Sequence, residues 1–173
     1  KEQRLNVFAA IDFAFSLKKK ADYSCVVVIG INSDNDIFIL DIERFKTDKI
    51  SVYFENILNM HYKWGFKKIR ADVTVAKKEI GRDIKENHIK KHGLSLKVDE
   101  YRPQRSEGSK EERVASTLEP RYDNLGIYHY RGGNCSLLEE EVMLTNPPHD
   151  DIKDCLTADI DISAPPTHSR NRM

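Results

Sequence analysis

Cysteine is scarce in this sequence, and apolar runs of membrane length are missing altogether. The three cysteines, Cys25, Cys135 and Cys155, form an odd set without C-x-x-C spacing. That excludes a complete disulfide framework, and reduced intracellular thiols are the simplest reading. No apolar stretch reaches the ~18 residues of a membrane span, so no membrane association is expected. No basic-then-apolar leader opens the chain, so no signal peptide is expected. The G-x-x-x-x-G-K-[ST] phosphate loop is absent, which argues against ATP hydrolysis by this chain alone. Internal repeats and low-complexity linkers are also missing. There is no excess of either charge, since 28 Lys and Arg balance 28 Asp and Glu. Free-standing nucleic-acid binders are usually basic, so whole-chain charge makes no case for that partner. Basic runs at Lys18-Lys19-Lys20, at Lys67, Lys68 and Arg70, and at Lys77, Lys78, Lys90 and Lys91 read mostly as solvated faces.

What is present suits one domain. The 173 residues are 39% hydrophobic, enough for a sizeable core. Leu5 to Phe15, Ser24 to Ile31 and Ile37 to Arg44 read as three strands, the last two joined by the turn residues Asn32-Ser33-Asp34-Asn35-Asp36. Thr47 or Asp48 is the expected cap of a helix carrying Val52, Ile57, Met60 and Trp64, which Gly65 ends. Tyr53, Phe54 and Trp64 read as core. Beyond it the pattern predicts a strand over 68–73, a helix over 80–92, a strand over 94–98 and a helix over 110–121. A strand over 126–130, a helical stretch over 137–143 and a last helix over 149–162 follow. Residues 163–173, with two prolines, read as a disordered tail. Three meandering strands and then α/β alternation point to an α/β fold with one mixed sheet between helices.

Three acidic positions stand out. Asp12 lies inside the first strand among apolar neighbours, where a lone carboxylate is costly unless paired or metal-bound. Asp72 ends the fourth strand. Asp150, Asp151 and Asp154 open the last helix, and their i, i+3 spacing puts Asp151 and Asp154 on one face. Phosphodiester hydrolysis needs an activated water and a neutralised leaving oxygen, which two Mg²⁺ or Mn²⁺ ions about 3.5–4 Å apart can provide on oxygen ligands. Each acid also has a plainer role: Asp12 as a strand end, Asp72 as a helix cap, Asp150 and Asp151 as partners of a helix dipole. His149 could be a ligand, a proton shuttle or a cap. Lys110 and Arg113 open a helix and suit either DNA phosphates or solvent. Asp22 could hydrogen-bond near the site or cap a turn, and Arg131-Gly132-Gly133 could be a hairpin tip.

These segments resemble the nuclease domain of the tailed-phage terminase large subunit. Ala10-Ile11-Asp12-Phe13-Ala14 and Ala21-Asp22-Tyr23-Ser24-Cys25 resemble its first two strands, and Ile37 to Arg44 its third. Ser109-Lys110-Glu111-Glu112-Arg113 is similar to its K-x-x-R helix start, and His149-Asp150-Asp151-Ile152-Lys153-Asp154-Cys155-Leu156 to its closing H-D-D-x-x-D-A-L signature. The likeness spans about 6–162 and implies a ribonuclease H-like nuclease domain over 1–162. By it, Asp12, Asp72 and Asp151 would be catalytic, with Asp150 and Asp154 in a ligand set for two Mg²⁺ or Mn²⁺. Asp22, His149, Lys110 and Arg113 would stand behind them or touch DNA. Many relatives carry Glu in place of Asp72, with further polar residues after it; here Val73-Thr74-Val75 follows. The resemblance implies cutting of concatemeric double-stranded viral DNA in the host cytoplasm during phage assembly. It also implies a motor ATPase domain, a small terminase subunit and a portal as partners. The chain, which opens on Lys1, then reads as the C-terminal portion of a longer protein and, isolated, as a monomer. A junction resolvase, a transposase-type nuclease or a non-catalytic DNA or capsid docking domain are the alternatives.

Overall fold

The run Val26-Val27-Val28-Ile29 dictates the architecture, because consecutive β-branched residues suit a strand covered on both faces. The computed structural model describes residues 4–14, 23–72, 78–102, 108–144 and 146–167. Its strands are β1 (Asn6–Asp12), β2 (Ser24–Ile31), β3 (Ile37–Phe45), β4 (Lys68–Asp72), β5 (Lys97–Tyr101) and β6 (Ile127–Tyr128). Its helices are α1 (Ile50–Trp64), α2 (Lys78–Asp83), α3 (Lys110–Asp123), α4 (Cys135–Met143) and α5 (Asp151–Ile162). The six strands form one sheet in the order β5-β4-β1-β2-β3-β6. β1, β2 and β3 are an antiparallel meander, while β4, β5 and β6 join in parallel, which makes the mixed α/β sheet expected above.

Every residue of β2 is buried. Val26 and Val28 join Ala9, Ile11 and Phe13 under Tyr53, Ile57 and Met60 of α1. Val27, Ile29 and Ala10 face the other way, against Leu118 of α3, Leu138 of α4, and Ile152 and Leu156 of α5. Each fully buried aliphatic side chain contributes roughly 1.5–3 kcal/mol. That burial, rather than its ends, holds α4, which has no side-chain cap and no acid in its first turn. Tyr53 and Phe54 are core as expected; Trp64 is partly buried, and its indole N–H donates to Asp41 at 2.8 Å.

Several boundaries differ from the sequence pattern. Lys49, not Thr47 or Asp48, is the N-cap of α1, and Thr47 Oγ1 instead accepts from the Lys49 N–H. Gly65 ends α1 at φ 69° as expected. The helix expected over 80–92 is the short α2 continued by a π-helical turn, Ile84–Ile89. The strand expected over 94–98 runs later, as β5. Leu94 and Leu96 are used in the core beneath the sheet, and the ladder begins at Lys97 beside Lys68, in a register that sets Asp99 beside Arg70 and Tyr101 beside Asp72. Asn6 donates to the Ala164 carbonyl at 2.9 Å, so the stretch expected to begin the tail is tied to β1 at Ala164. Residues 168–173 fall outside the described residues, as do Lys18-Lys19-Lys20, Asp22, Val73-Thr74-Val75 and Lys77.

Candidate functional site

Strand parity aims the first two acids. On β1, Ala9 and Ile11 face α1, so Ala10 and Asp12 face α5. On β4, Ile69 and Ala71 face α1, so Arg70 and Asp72 face α5. The parallel pairing of Ala9 with Ile69, Ala10 with Arg70 and Ile11 with Ala71 sets the ends of the two strands level, with Asp12 beside Asp72. Beyond Asp12 the chain is anchored: Phe13 is buried, and the Ala14 N–H donates to Ser24 Oγ at 3.0 Å.

The acid that α5 brings to the same cleft is Asp154. Asp12, Asp72 and Asp154 line one cleft of about 270 Å³ with Tyr101, Lys110 and Arg113. Asp151 goes elsewhere. Its carboxylate accepts from the Tyr23 N–H at 3.3 Å and from Arg44 Nη2 at 3.4 Å, and His149 Nδ1 is 4.0 Å away. The two acids therefore meet different neighbours. Three residues turn a helix about 300°, and the remaining ~60° carries Asp151 over β2 and β3 while Asp154 overlooks β1 and β4. His149 packs edge-on against the Tyr23 ring. Asp150 is the N-cap of α5, and its carboxylate lies 3.1 Å from Lys110 Nζ.

Lys110 is also in direct ion contact with Asp154. Among the described residues no other group hydrogen-bonds the buried Asp154 oxygens. Burial pushes the Asp154 carboxyl up to about 6, although Lys110 pulls the other way. Burial alone would lower the Lys110 ammonium, but its pairs with Asp154 and Asp150 outweigh that and hold it above its ordinary value. Three carboxylates facing one cleft make an all-oxygen donor set, which fits a hard divalent cation. Among the described residues, a group of ligand-type side chains whose atoms all lie within 4.8 Å of one another is His129, Cys135 and Glu139, at the β6 edge.

Four supporting residues escaped the sequence reading. Tyr101 lies beside Asp72 in the ladder, and its hydroxyl accepts from Arg113 Nη1 at 3.0 Å. Ser109 and Glu112 form a reciprocal capping box that fixes the start of α3, hence Lys110 and Arg113; the S-x-x-E spacing was its signal. Glu141 of α4 is buried and caps α5 from outside, its Oε2 accepting from the Ile152 N–H at 3.0 Å and the Lys153 N–H at 2.9 Å. Asp150 makes no side-chain cap of its own, so α5 depends on this borrowed one. The signal for Glu141 was its place on the buried stripe Cys135, Leu138, Glu141. Burial pushes its carboxyl up to about 7.

No family model matches the chain, and no curated protein matches it in sequence. Solved structures do. The large terminase nuclease from thermophilic phage G20c, with bound zinc, is 17% identical with a TM-score of 0.63, over 92% of this chain and 82% of that one. Thermus thermophilus RuvC in complex with a Holliday junction is 12% identical with a TM-score of 0.51, over 89% and 90%. The fowlpox virus resolvase bound to Holliday junction DNA is 13% identical with a TM-score of 0.54, over 89% and 96%. The fold is ribonuclease H-like. No helix among the described residues is long and apolar enough to cross a membrane.

Proposed function

We propose that this chain is a metal-dependent DNA endonuclease working through Asp12, Asp72 and Asp154, and that it is the nuclease portion of a phage terminase large subunit. The observation that carries the nuclease is the meeting of these acids, from β1, β4 and α5, in one cleft beside Lys110 and Arg113. Asp12, Asp72 and Asp154 would hold two Mg²⁺ or Mn²⁺ ions, with Asp150 at the rim. Such ions, when bound, supply an activated water and neutralise charge on the leaving oxygen. The chain itself supplies placement. The β1–β4 ladder fixes Asp12 and Asp72, and Glu141 fixes the helix that carries Asp154. Lys110 and Arg113, on the capped first turn of α3, are placed to contact backbone phosphates, and Tyr101 steadies Arg113. In this reading Asp151 stands outside the ligand set, and its pairing with Arg44 supports that.

The terminase setting rests on the motifs at Asp12, Lys110 and His149 and on the likeness to the G20c nuclease. It implies concatemeric viral DNA as substrate, the host cytoplasm as location, and the motor domain, small subunit and portal as partners. A junction resolvase is the second reading, supported by the likeness in fold to RuvC and to the fowlpox virus resolvase. Cleavage of plasmid, linear duplex and four-way junction DNA, with Mn²⁺, Mg²⁺ or chelator, tests both. We expect ion-dependent cutting of plasmid and linear duplex that is lost in Asp12→Asn and Asp154→Asn. Cutting confined to the junction would replace the terminase setting by a resolvase. A folded chain that neither cuts nor binds divalent ions would leave a docking domain.

A further inference from the structure

At the other end of the sheet a second group of ligand-type side chains meets. His129 follows β6, while Cys135 and Glu139 stand one turn apart on the same side of α4. Gly132 and Gly133 adopt φ 78° and 56°, which lets the chain reverse between strand and helix and bring His129 to the helix. One ligand atom from each of the three residues lies within 4.8 Å of the others, and His129 Nδ1 is 3.2 Å from Glu139 Oε1. Strands β2 and β3 separate this corner from the strands that carry Asp12 and Asp72.

We propose that His129, Cys135 and Glu139 bind a transition-metal ion, Zn²⁺ by the character of the donors. Thiolate, imidazole and carboxylate together suit zinc and not the magnesium-type ions of an all-oxygen cleft. The surroundings have the features of a second shell. Tyr122 Oη lies 2.9 Å from His129 Nε2, so the ring can donate there and leave Nδ1 bare for the ion. The Tyr130 backbone hydrogen-bonds the Cys135 thiol. Glu139 is half exposed, which gives an ion a way in. Binding turns the Cys135 thiol into a thiolate and passes its proton to solvent. Three protein ligands leave a fourth position for water. The ion would pin the two-residue edge strand β6 to α4, the helix whose Glu141 caps α5.

The test is Co²⁺ and Zn²⁺ titration of the whole chain, with excess Mg²⁺ to fill the acidic cleft. One equivalent of Co²⁺ should produce a thiolate-to-cobalt charge-transfer band, which oxygen ligands cannot give. Cys135→Ser should abolish the band. Glu139→Gln, a half-exposed change that leaves the core intact, should weaken Zn²⁺ binding by at least about tenfold with unchanged circular dichroism. Absence of the band, or unchanged Zn²⁺ affinity in folded Glu139→Gln, would overturn the site and leave a Tyr122–His129–Glu139 hydrogen-bond chain in its place.

Discussion

One turn of α5 gives Asp151 and Asp154 different neighbours, the Tyr23 N–H and Arg44 for the first and Lys110 for the second. Asp154→Asn should cut ion-dependent cleavage by more than about a hundredfold, about 2.7 kcal/mol of barrier, while leaving the fold intact. Asp151→Ala should do the reverse. It strands the Arg44 guanidinium, whose side chain is only 10% exposed. Removing one member of such a pair costs on the order of 3 kcal/mol. Urea denaturation of both variants beside their cleavage rates separates the two roles; a stable but inactive Asp151→Ala would make Asp151 the ligand after all. The sequence reading favoured Asp151 as the catalytic acid, whereas the acid of α5 that lines the cleft is Asp154. The pairing of Asp151 with Arg44, which arrives from β3, far away in sequence, was not visible in the local pattern.

Among elements, α5 leans on another helix, because its first N–H groups are satisfied by Glu141 of α4. Glu141→Ala leaves those donors unpaired in a buried place and should cost about 1–3 kcal/mol. Glu141→Gln keeps an acceptor but removes the charge, and so exposes a pH effect. The Glu141 carboxyl titrates near 7 in the fold against an ordinary 4.5. The native chain therefore holds the extra proton in that window, and stability from this group falls as pH rises from about 4.5 to about 7, then levels. In chelator, the stability difference between the parent and Glu141→Gln should shift in favour of the variant across that range. A constant difference would show that Glu141 is ionised throughout. The strands β1 to β3 and the helices α1 and α3 were legible from period and punctuation. The start of β5 was not, since Leu94 and Leu96 look like strand residues but pack into the core ahead of the ladder, which begins at Lys97 beside Lys68. Nor was the cap on α5, because it joins two helices that no local pattern connects.

At the scale of the molecule, the balanced charge predicts weak binding to duplex DNA by the isolated chain. It should rest on a few phosphate contacts, Lys110 and Arg113 first. A fluorescence titration should give a shallow dependence of log affinity on log salt, near −0.9 per phosphate contacted. Lys110→Gln should flatten it further. Tight binding with a steep slope would instead indicate a larger basic surface. The fold class was legible because the all-buried β2 and the meander around it were visible in the residues themselves. The cleft was legible only in part: its acids were named, but their meeting depends on pairings between distant segments.

That dependence bears on synthesis. The β1–β2–β3 meander is built from neighbouring segments and can form early, whereas the cleft waits for a strand and then a helix from far along the chain. If the acids act as proposed, a nascent chain halted before Asp154 carries two of them on a folded sheet and cannot cut. Activity would then arrive only with the last helix, and prematurely released fragments would be harmless to the DNA around the ribosome.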